Sequence, residues 1–131
     1  MNWCLLNTLF MADHNEFGKK GEDIAVEYLQ KKGYKILERN WVSGKNEIDI
    51  IAREGKYTIV VEVKTRHSNY AGEPETAVTK DKQKSLIRAA NAYVRKMNLD
   101  DEVRFDIISI LVVKGKEQIN HIEDAFYPTL F

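Results

Sequence analysis

Cysteine is almost missing from this chain. Cys4 is the only one among 131 residues, so no disulfide can form within the chain. The three histidines are scattered, and neither CxxC nor HExxH occurs, which excludes the usual spacings of zinc ligands. This cysteine usage is typical of a reducing compartment, and we expect the protein in the cytoplasm.

Long hydrophobic runs and an excess of one charge are also missing. The formal net charge is zero, which counts against a strongly basic, dedicated nucleic-acid binder. The apolar first residues lack the basic flank of a secretory signal and are too short to span a bilayer. The composition predicts one globular domain without membrane contact. We expect residues 15–131 to form it and residues 1–14 to be an extension, non-native or disordered.

Hydrophobic periodicity predicts the element order α-β-β-β-α-β-β. The first helix is expected from about Glu16 to Lys32 and the second from Thr79, its N-cap, to Met97. The second helix should bury one stripe, made of Leu86, Ile87, Ala90, Tyr93, Val94 and Met97. The strands are expected near residues 34–42, 47–53, 57–66, 103–113 and 118–123. A strand-helix-strand unit implies a parallel crossover, so we expect an α/β fold with a mixed sheet of about five strands and helices on its faces.

The segment VVEVKTR, residues 60–66, carries two charges in an otherwise apolar strand. Because side chains alternate between the faces of a strand, Glu62 and Lys64 share one face. A solvated sheet face with an exposed Glu–Lys pair would explain them. The solvated face is the simpler explanation of this segment alone. The neighbouring segment EIDII, in a second strand that should be central, favours a functional site instead.

The expected hairpin between these two strands brings another carboxylate to that face. With Glu54 and Gly55 as a two-residue turn, Asp49 falls opposite Val60 and diagonal to Glu62. Two carboxylates at that separation can converge on one ion. A slip of one residue would move Asp49 to the other face, so the inference depends on the turn.

A divalent cation suits such a pair. Mg²⁺ prefers oxygen ligands, usually one or two carboxylates together with water and substrate phosphate. Asp49 and Glu62 would be those ligands, with the backbone carbonyl of Val63 as a third. Lys64 would position a water molecule or offset charge on a phosphate. The expected cofactor is therefore Mg²⁺ or Mn²⁺.

An aspartate followed by Glu-x-Lys on adjacent strands, after a helix that carries a glutamate, resembles the PD-(D/E)xK nuclease superfamily, which includes Holliday-junction resolvases. Over residues 18–110 the chain is also similar to the YraN-like bacterial family, in five segments: GKKGEDIAVEYLQKKGYKILERNW, NEIDIIAR, VVEVKTR, AVTKDKQKSLIRAA and RFDIISI. The resemblance implies a restriction-endonuclease-like fold and metal-dependent hydrolysis of DNA, branched or otherwise structured. It also implies a homodimer as one state. A nucleic-acid-binding or partner-binding module with the same fold and no catalysis is the alternative.

The resemblance assigns roles to five positions. Asp49, Glu62 and Lys64 match the catalytic core of the superfamily. Glu22 matches the glutamate of the first helix, although a glutamate in a first turn is also favoured by the helix dipole. Gln83 matches the Lys/Gln position of the second helix.

Residues 78–96 carry six basic side chains and one acidic one, a net charge of +5. A solvated helix face is one explanation, and contact with phosphates is the other. The candidates for phosphate contact are Arg66, Lys80, Lys82, Lys84 and Arg88, although Lys80 also suits a helix start. We expect Trp41 in the core rather than stacked on a base, and Asp106 in a structural hydrogen bond.

Overall fold

A computed structural model of the chain describes residues 3–67 and 78–128, with side chains from residue 16 onward. Seven elements follow one another: α1 (Trp3–Lys31), β1 (Lys35–Ser43), β2 (Asn46–Glu54), β3 (Tyr57–His67), α2 (Lys80–Met97), β4 (Glu102–Val113) and β5 (Lys116–Phe126). The predicted α/β order is confirmed. Helix α1 begins earlier than expected, and β5 is longer than expected at both ends.

The N-terminal segment was predicted to be an extension. Residues 1 and 2 and the side chains of residues 3–15 lie outside the part that the structure describes, so this stays a prediction. Among the described residues, no helix has both the length and the hydrophobicity that crossing a bilayer requires.

All five strands join one mixed sheet in the order β1-β2-β3-β4-β5. The first three strands form an antiparallel meander, and β5 returns antiparallel to β4. β3 and β4 run parallel, which requires a crossover between them, and α2 supplies it. The predicted mixed sheet of about five strands is therefore confirmed.

The two helices cover opposite faces of the sheet. On one face, Ala25 and Leu29 of α1 pack against a cluster that includes Val61. On the other, Leu86 and Tyr93 of α2 pack against a second cluster, and all four of these helical side chains are buried. Trp41 is partly buried and packs against the second cluster with its ring edge-on to Tyr93, which agrees with the expected packing role.

Helix α2 has the predicted start and end. The side chain of Thr79 accepts a hydrogen bond from the backbone N–H of Lys82 at 3.2 Å, and Asn98 ends the helix in a left-handed conformation. The predicted stripe is partly wrong, because Met97 is 40% exposed. The fully buried side of α2 consists of Leu86, Ala89, Ala90 and Tyr93.

The predicted register of the β2–β3 hairpin is wrong by two residues. The loop is Gly55–Lys56 rather than Glu54–Gly55, and Glu54 pairs with Tyr57. Gly55 has a φ of 56°, the left-handed value that a two-residue hairpin loop needs at its first position. A shift of two residues keeps every side chain on its face, and continuing the register places Asp49 opposite Glu62.

Asp106 is the fully buried carboxylate of β4. It accepts hydrogen bonds from Arg104 Nε (2.9 Å), Arg104 Nη2 (2.8 Å), His121 Nε2 (2.7 Å) and the backbone N–H of Asp124 (3.0 Å). Burial acts to raise the pKa of Asp106, but the bonds from His121 and Arg104 hold it below its ordinary value. These bonds join β4 to β5, which is the structural role expected of Asp106.

The closest approach of α1 to the sheet occurs at Gly21. A Cβ atom built on Gly21 would overlap Oγ1 of Thr65 in β3 and would lie 3.1 Å from the Cβ and Cγ2 atoms of Thr65. Glycine therefore sets the distance between α1 and β3, and the next residue of α1 is Glu22. An isolated glycine inside a helix normally costs stability, so close packing explains its presence here.

We expect Gly21→Ala to lower the free energy of unfolding by roughly 1–3 kcal/mol, because the added methyl group forces α1 away from β3. Gly18→Ala in the same helix is the matched control. Among the described residues, no atom apart from its own helix backbone and chain neighbours lies within 4 Å of its built Cβ, so it should stabilise the protein by about 0.5–1 kcal/mol.

Urea unfolding measures both changes. Thr65→Ala should recover part of the loss in the double variant, since it removes the overlapping Oγ1. Equal effects of the two alanines would contradict the close contact.

Candidate metal site at the opening of the sheet

β2 and β3 separate at one end of their hairpin. Their pairing stops at Ile50 and Val61, although β2 stays paired with β1 as far as Asn46 and β3 stays paired with β4 as far as His67. The sheet is therefore open between residues 46–49 and 62–67. Backbone groups at such an opening need other partners. The N–H of Val63 finds one in the side chain of Asp49, which accepts it at Oδ2 over 2.9 Å.

β2 changes the direction of its side chains at Asp49. Ile48 belongs to the cluster on the α2 face and Ile50 to the cluster on the α1 face, whereas residues two apart in a regular strand share a face. On β1, Asn40 lies between the partners of these two isoleucines and has a φ of 49°, which asparagine tolerates better than most residues. The local twist leaves the Asp49 carboxylate directed across the opening, toward Val63.

Asp49 and Glu62 form an acidic pair at this opening. The pKa of Asp49 is raised to about 6, chiefly by burial; the hydrogen bond from Val63 opposes this rise, and the negative charge of Glu22 adds to it. Burial raises the pKa of Glu62 to about 7, with the charge of Asp49 as the next cause. The side chain of Glu62 is only 13% exposed. Its buried Oε2 accepts no hydrogen bond from any described residue.

Charged groups from both helices act on this pair. Nζ of Lys82 in α2 lies 3.7 Å from Oε2 of Glu62, an ion pair too long for a hydrogen bond. Glu22 belongs to α1, on the other face of the sheet, yet its charge acts on Asp49. The charge of Lys64, on β3 itself, lowers the pKa of Glu62. The opening explains why charges from opposite layers reach the same carboxylates.

The donor set fits a hard divalent cation. The pair offers carboxylate oxygens, one of them a buried atom without a hydrogen bond, and Mg²⁺ needs only one or two carboxylates because it keeps several waters. No group of three or more His, Cys, Asp or Glu side chains suited to a metal occurs in the described part of the chain. Glu22 is thus a neighbour of the pair, and ligation by it or by the Val63 carbonyl stays a prediction.

The other predicted site residues are Gln83, Arg66, Lys80, Lys84 and Arg88. Gln83 does not pair with a carboxylate in the structure, since its amide Nε2 donates to the carbonyl of Val78 at 3.0 Å. Lys80, Lys84 and Arg88 follow one another at helical spacing, about 130–210° around α2 from its buried side. Arg66 lies on β3, and its Nη1 donates to the carbonyl of Thr65. Their proposed phosphate contacts stay predictions.

Sequence reasoning missed the pairing of Lys82 with Glu62. The signal was present, because Lys82 lies four residues before Leu86 and seven before Ala89, in line with the buried side of α2. The predicted stripe included Ile87 and Val94 but omitted Ala89, so its centre was displaced from the side of α2 that is buried. The left-handed conformation of Asn40 could not be predicted from the sequence, because asparagine tolerates that conformation but does not require it.

A cavity of about 190 Å³ lies on the opposite face of the sheet. Its walls include Phe17, Ile24, Thr65, His67 and Ile110, with the rings of Phe17 and His67 stacked 4.2 Å apart. Neither Asp49 nor Glu62 contributes to these walls. The cavity is therefore separate from the acidic pair.

The fold and the site define a class of protein: a three-layer α/β protein whose mixed sheet opens beside a pair of half-buried carboxylates. Residues 21–110 match the model of the Uncharacterised protein family UPF0102. A UPF0102 protein of Phocaeicola vulgatus is 50% identical over 121 residues, which cover 92% of this chain and all of the relative. One from Flavobacterium psychrophilum is 51% identical over 117 residues, 89% of this chain and 98% of the relative.

The chain belongs to the UPF0102 family. This confirms the YraN-like resemblance that the sequence segments predicted.

The acidic pair should make stability depend on pH. The folded protein retains protons on Glu62 and Asp49 that the unfolded chain releases, because their folded pKa values are raised. Their contribution is therefore fully present below about pH 4 and is lost as the pH rises through about 7.

We expect Glu62→Gln to raise the free energy of unfolding at pH 8 by on the order of 1–3 kcal/mol and to change it little at pH 4. Urea unfolding at the two pH values measures the difference. Glu54→Gln, at the exposed end of β2, is the matched control and should have a small effect at both. An equal effect of Glu62→Gln at pH 4 and pH 8 would contradict the raised pKa.

Proposed function

We propose that the protein is a metal-dependent endonuclease that hydrolyses phosphodiester bonds in DNA, with branched or otherwise structured DNA as the expected substrate. One observation carries this proposal: two largely buried carboxylates, Asp49 and Glu62, interact electrostatically where the sheet opens, and lysines act on them. A pair of carboxylates with raised pKa values, one of them with a buried oxygen that accepts no hydrogen bond from the described residues, is typical of a functional site. Mg²⁺ or Mn²⁺ is the proposed cofactor.

Asp49 and Glu62 would hold the cation. When bound, the ion supplies positive charge that polarises the scissile phosphate and favours ionisation of water. In the hydrolysis, a water oxygen forms a new bond to phosphorus, the bond to the departing sugar oxygen breaks, and that oxygen gains a proton.

Residues of the chain would assist each part of this reaction. Lys64 would orient the attacking water or donate to a phosphate oxygen, since its charge already acts on Glu62. The bond from the Val63 N–H would keep the Asp49 carboxylate directed across the opening. The negative charge of Glu22 would help to hold a cation beside Asp49.

DNA would be bound electrostatically. The proposed phosphate contacts are Arg66, Lys82, Lys80, Lys84 and Arg88, and the net charge of +5 over residues 78–96 supports the four on α2 although the whole chain is neutral. Because the last three lie on the outer side of α2, the DNA would have to contact the helix as well as the opening. A homodimer would bring two sites to one branched substrate. The proposed location is the cytoplasm, because a chain with a single cysteine suits a reducing compartment.

A second candidate function is a nucleic-acid-binding or partner-binding module without catalysis. The observation that favours it is the lack of a third metal-binding side chain at the pair within the described residues. Such a module would bind DNA in a strongly salt-dependent way that Mg²⁺ does not alter.

The proposal is tested by cleavage of labelled duplex, flap and four-way DNA by the full chain with Mg²⁺ or Mn²⁺. We expect cleavage by the wild-type protein and a loss of at least about a hundredfold in Asp49→Asn and Glu62→Gln, because electrostatic stabilisation at the reacting phosphate disappears.

Glu54→Gln is the matched control. It removes a carboxylate from the far end of β2, where Glu54 contacts Arg104 at 3.4 Å, and it should leave cleavage unchanged. Cleavage that survives in both site variants would be due to a contaminant and would refute the proposal. Salt-sensitive DNA binding without cleavage would establish the second candidate.

A further inference from the structure

Lys82 holds a position that the fold fixes. It lies in the first turn of α2, and its backbone N–H is bound by the capping side chain of Thr79. It continues the buried side of the helix toward the N-terminus, so its side chain starts toward the sheet. Lys80 and Lys84 lie two residues away on either side, 160–200° around the helix, and start in the opposite direction.

The contact of Lys82 with Glu62 is an ion pair without a hydrogen bond. The separation of 3.7 Å joins Nζ to a buried oxygen that accepts no hydrogen bond from the described residues. The lysine side chain remains 44% exposed, so it can leave without unpacking the core. The ammonium of Lys82 offsets the negative charge of Glu62, but at 3.7 Å this contact does not fix its position by a hydrogen bond.

The same ammonium acts on both proposed ligands. Its positive charge stabilises the ionised forms of Glu62 and of Asp49. A divalent cation bound to these two carboxylates would lie close to the ammonium, and like charges at such short distances repel strongly where water is partly excluded. The lysine and the metal therefore cannot both occupy their best positions beside Glu62.

We propose that Lys82 is a tethered counter-ion that occupies the acidic site in the metal-free protein and must leave Glu62 before a divalent cation binds. This inference rests on the proposed function, because it takes Asp49 and Glu62 as the metal ligands. Lys82 keeps the carboxylate pair charge-compensated in the absence of metal, at the cost of weaker metal binding. It is a regulating residue of the site rather than a catalytic one.

The test measures the binding of Mn²⁺ alone to the full chain, by isothermal titration calorimetry and by the electron paramagnetic resonance signal of free Mn²⁺. We expect Lys82→Met to tighten Mn²⁺ binding about tenfold, because it removes the competing charge and keeps most of the aliphatic stem. Lys82→Arg retains the charge and should stay within about twofold of the wild type.

Lys96→Met is the matched control. It removes the same charge from the last turn of α2, about 21 Å along the helix from Lys82, and should leave the Mn²⁺ affinity unchanged. Thermal unfolding provides a second readout. Saturating Mn²⁺ should stabilise Lys82→Met more than wild type, by about 1.4 kcal/mol for a tenfold gain in affinity.

The outcomes separate this inference from the proposed function. In one outcome, Asp49→Asn abolishes Mn²⁺ binding, but Lys82→Met binds Mn²⁺ no more tightly than the wild type. That outcome refutes the counter-ion role of Lys82 and supports the metal site. Binding by Lys82→Met but not by the wild type supports the counter-ion in its strongest form. Absence of Mn²⁺ binding from both folded proteins overturns the counter-ion together with the metal site.

Discussion

The separation of β2 from β3 is the constraint on which the candidate site depends. Each strand keeps one partner after the two diverge, β1 for β2 and β4 for β3, so the opening costs only the hydrogen bonds between them. The Asp49 carboxylate replaces one lost acceptor by binding the N–H of Val63. The same gap lets Glu22 and Lys82, from helices on opposite faces, act on one pair of carboxylates.

Two carboxylates on neighbouring strands, the buried Asp106 and the largely buried Glu62, lie in different environments. Asp106 accepts bonds from Arg104, His121 and a backbone N–H, and its pKa is lowered. Glu62 has a long ion pair with Lys82 and a buried oxygen that accepts no hydrogen bond from the described residues, and its pKa is raised. The fold supplies hydrogen bonds to both oxygens of Asp106, whereas one oxygen of Glu62 accepts none from the described residues. This difference is the physical reason for giving Asp106 a structural role and for proposing a functional one for Glu62.

Prediction from the sequence succeeded where the signal was local and periodic. Alternation placed Glu62 and Lys64 on one face, and Thr79 marked the start of α2. The hairpin register failed because one glycine can serve at either position of a two-residue loop, and both loops preserve the faces of the strands. That error does not change the prediction that Asp49 lies near Glu62, because a shift of two residues moves Asp49 from a diagonal position to one directly opposite Glu62.

The sequence by itself determined the order of the elements, the mixed sheet, the family and the identity of the charged residues on β3, because periodicity and capping are properties of short segments. The tertiary structure alone decided that β2 and β3 separate at Asp49, that Gly21 lets α1 contact Thr65, and that Lys82 rather than Gln83 pairs with Glu62. These features depend on distances between segments far apart in the chain. Packing of both helices on one twisted sheet sets those distances, and no local pattern encodes them.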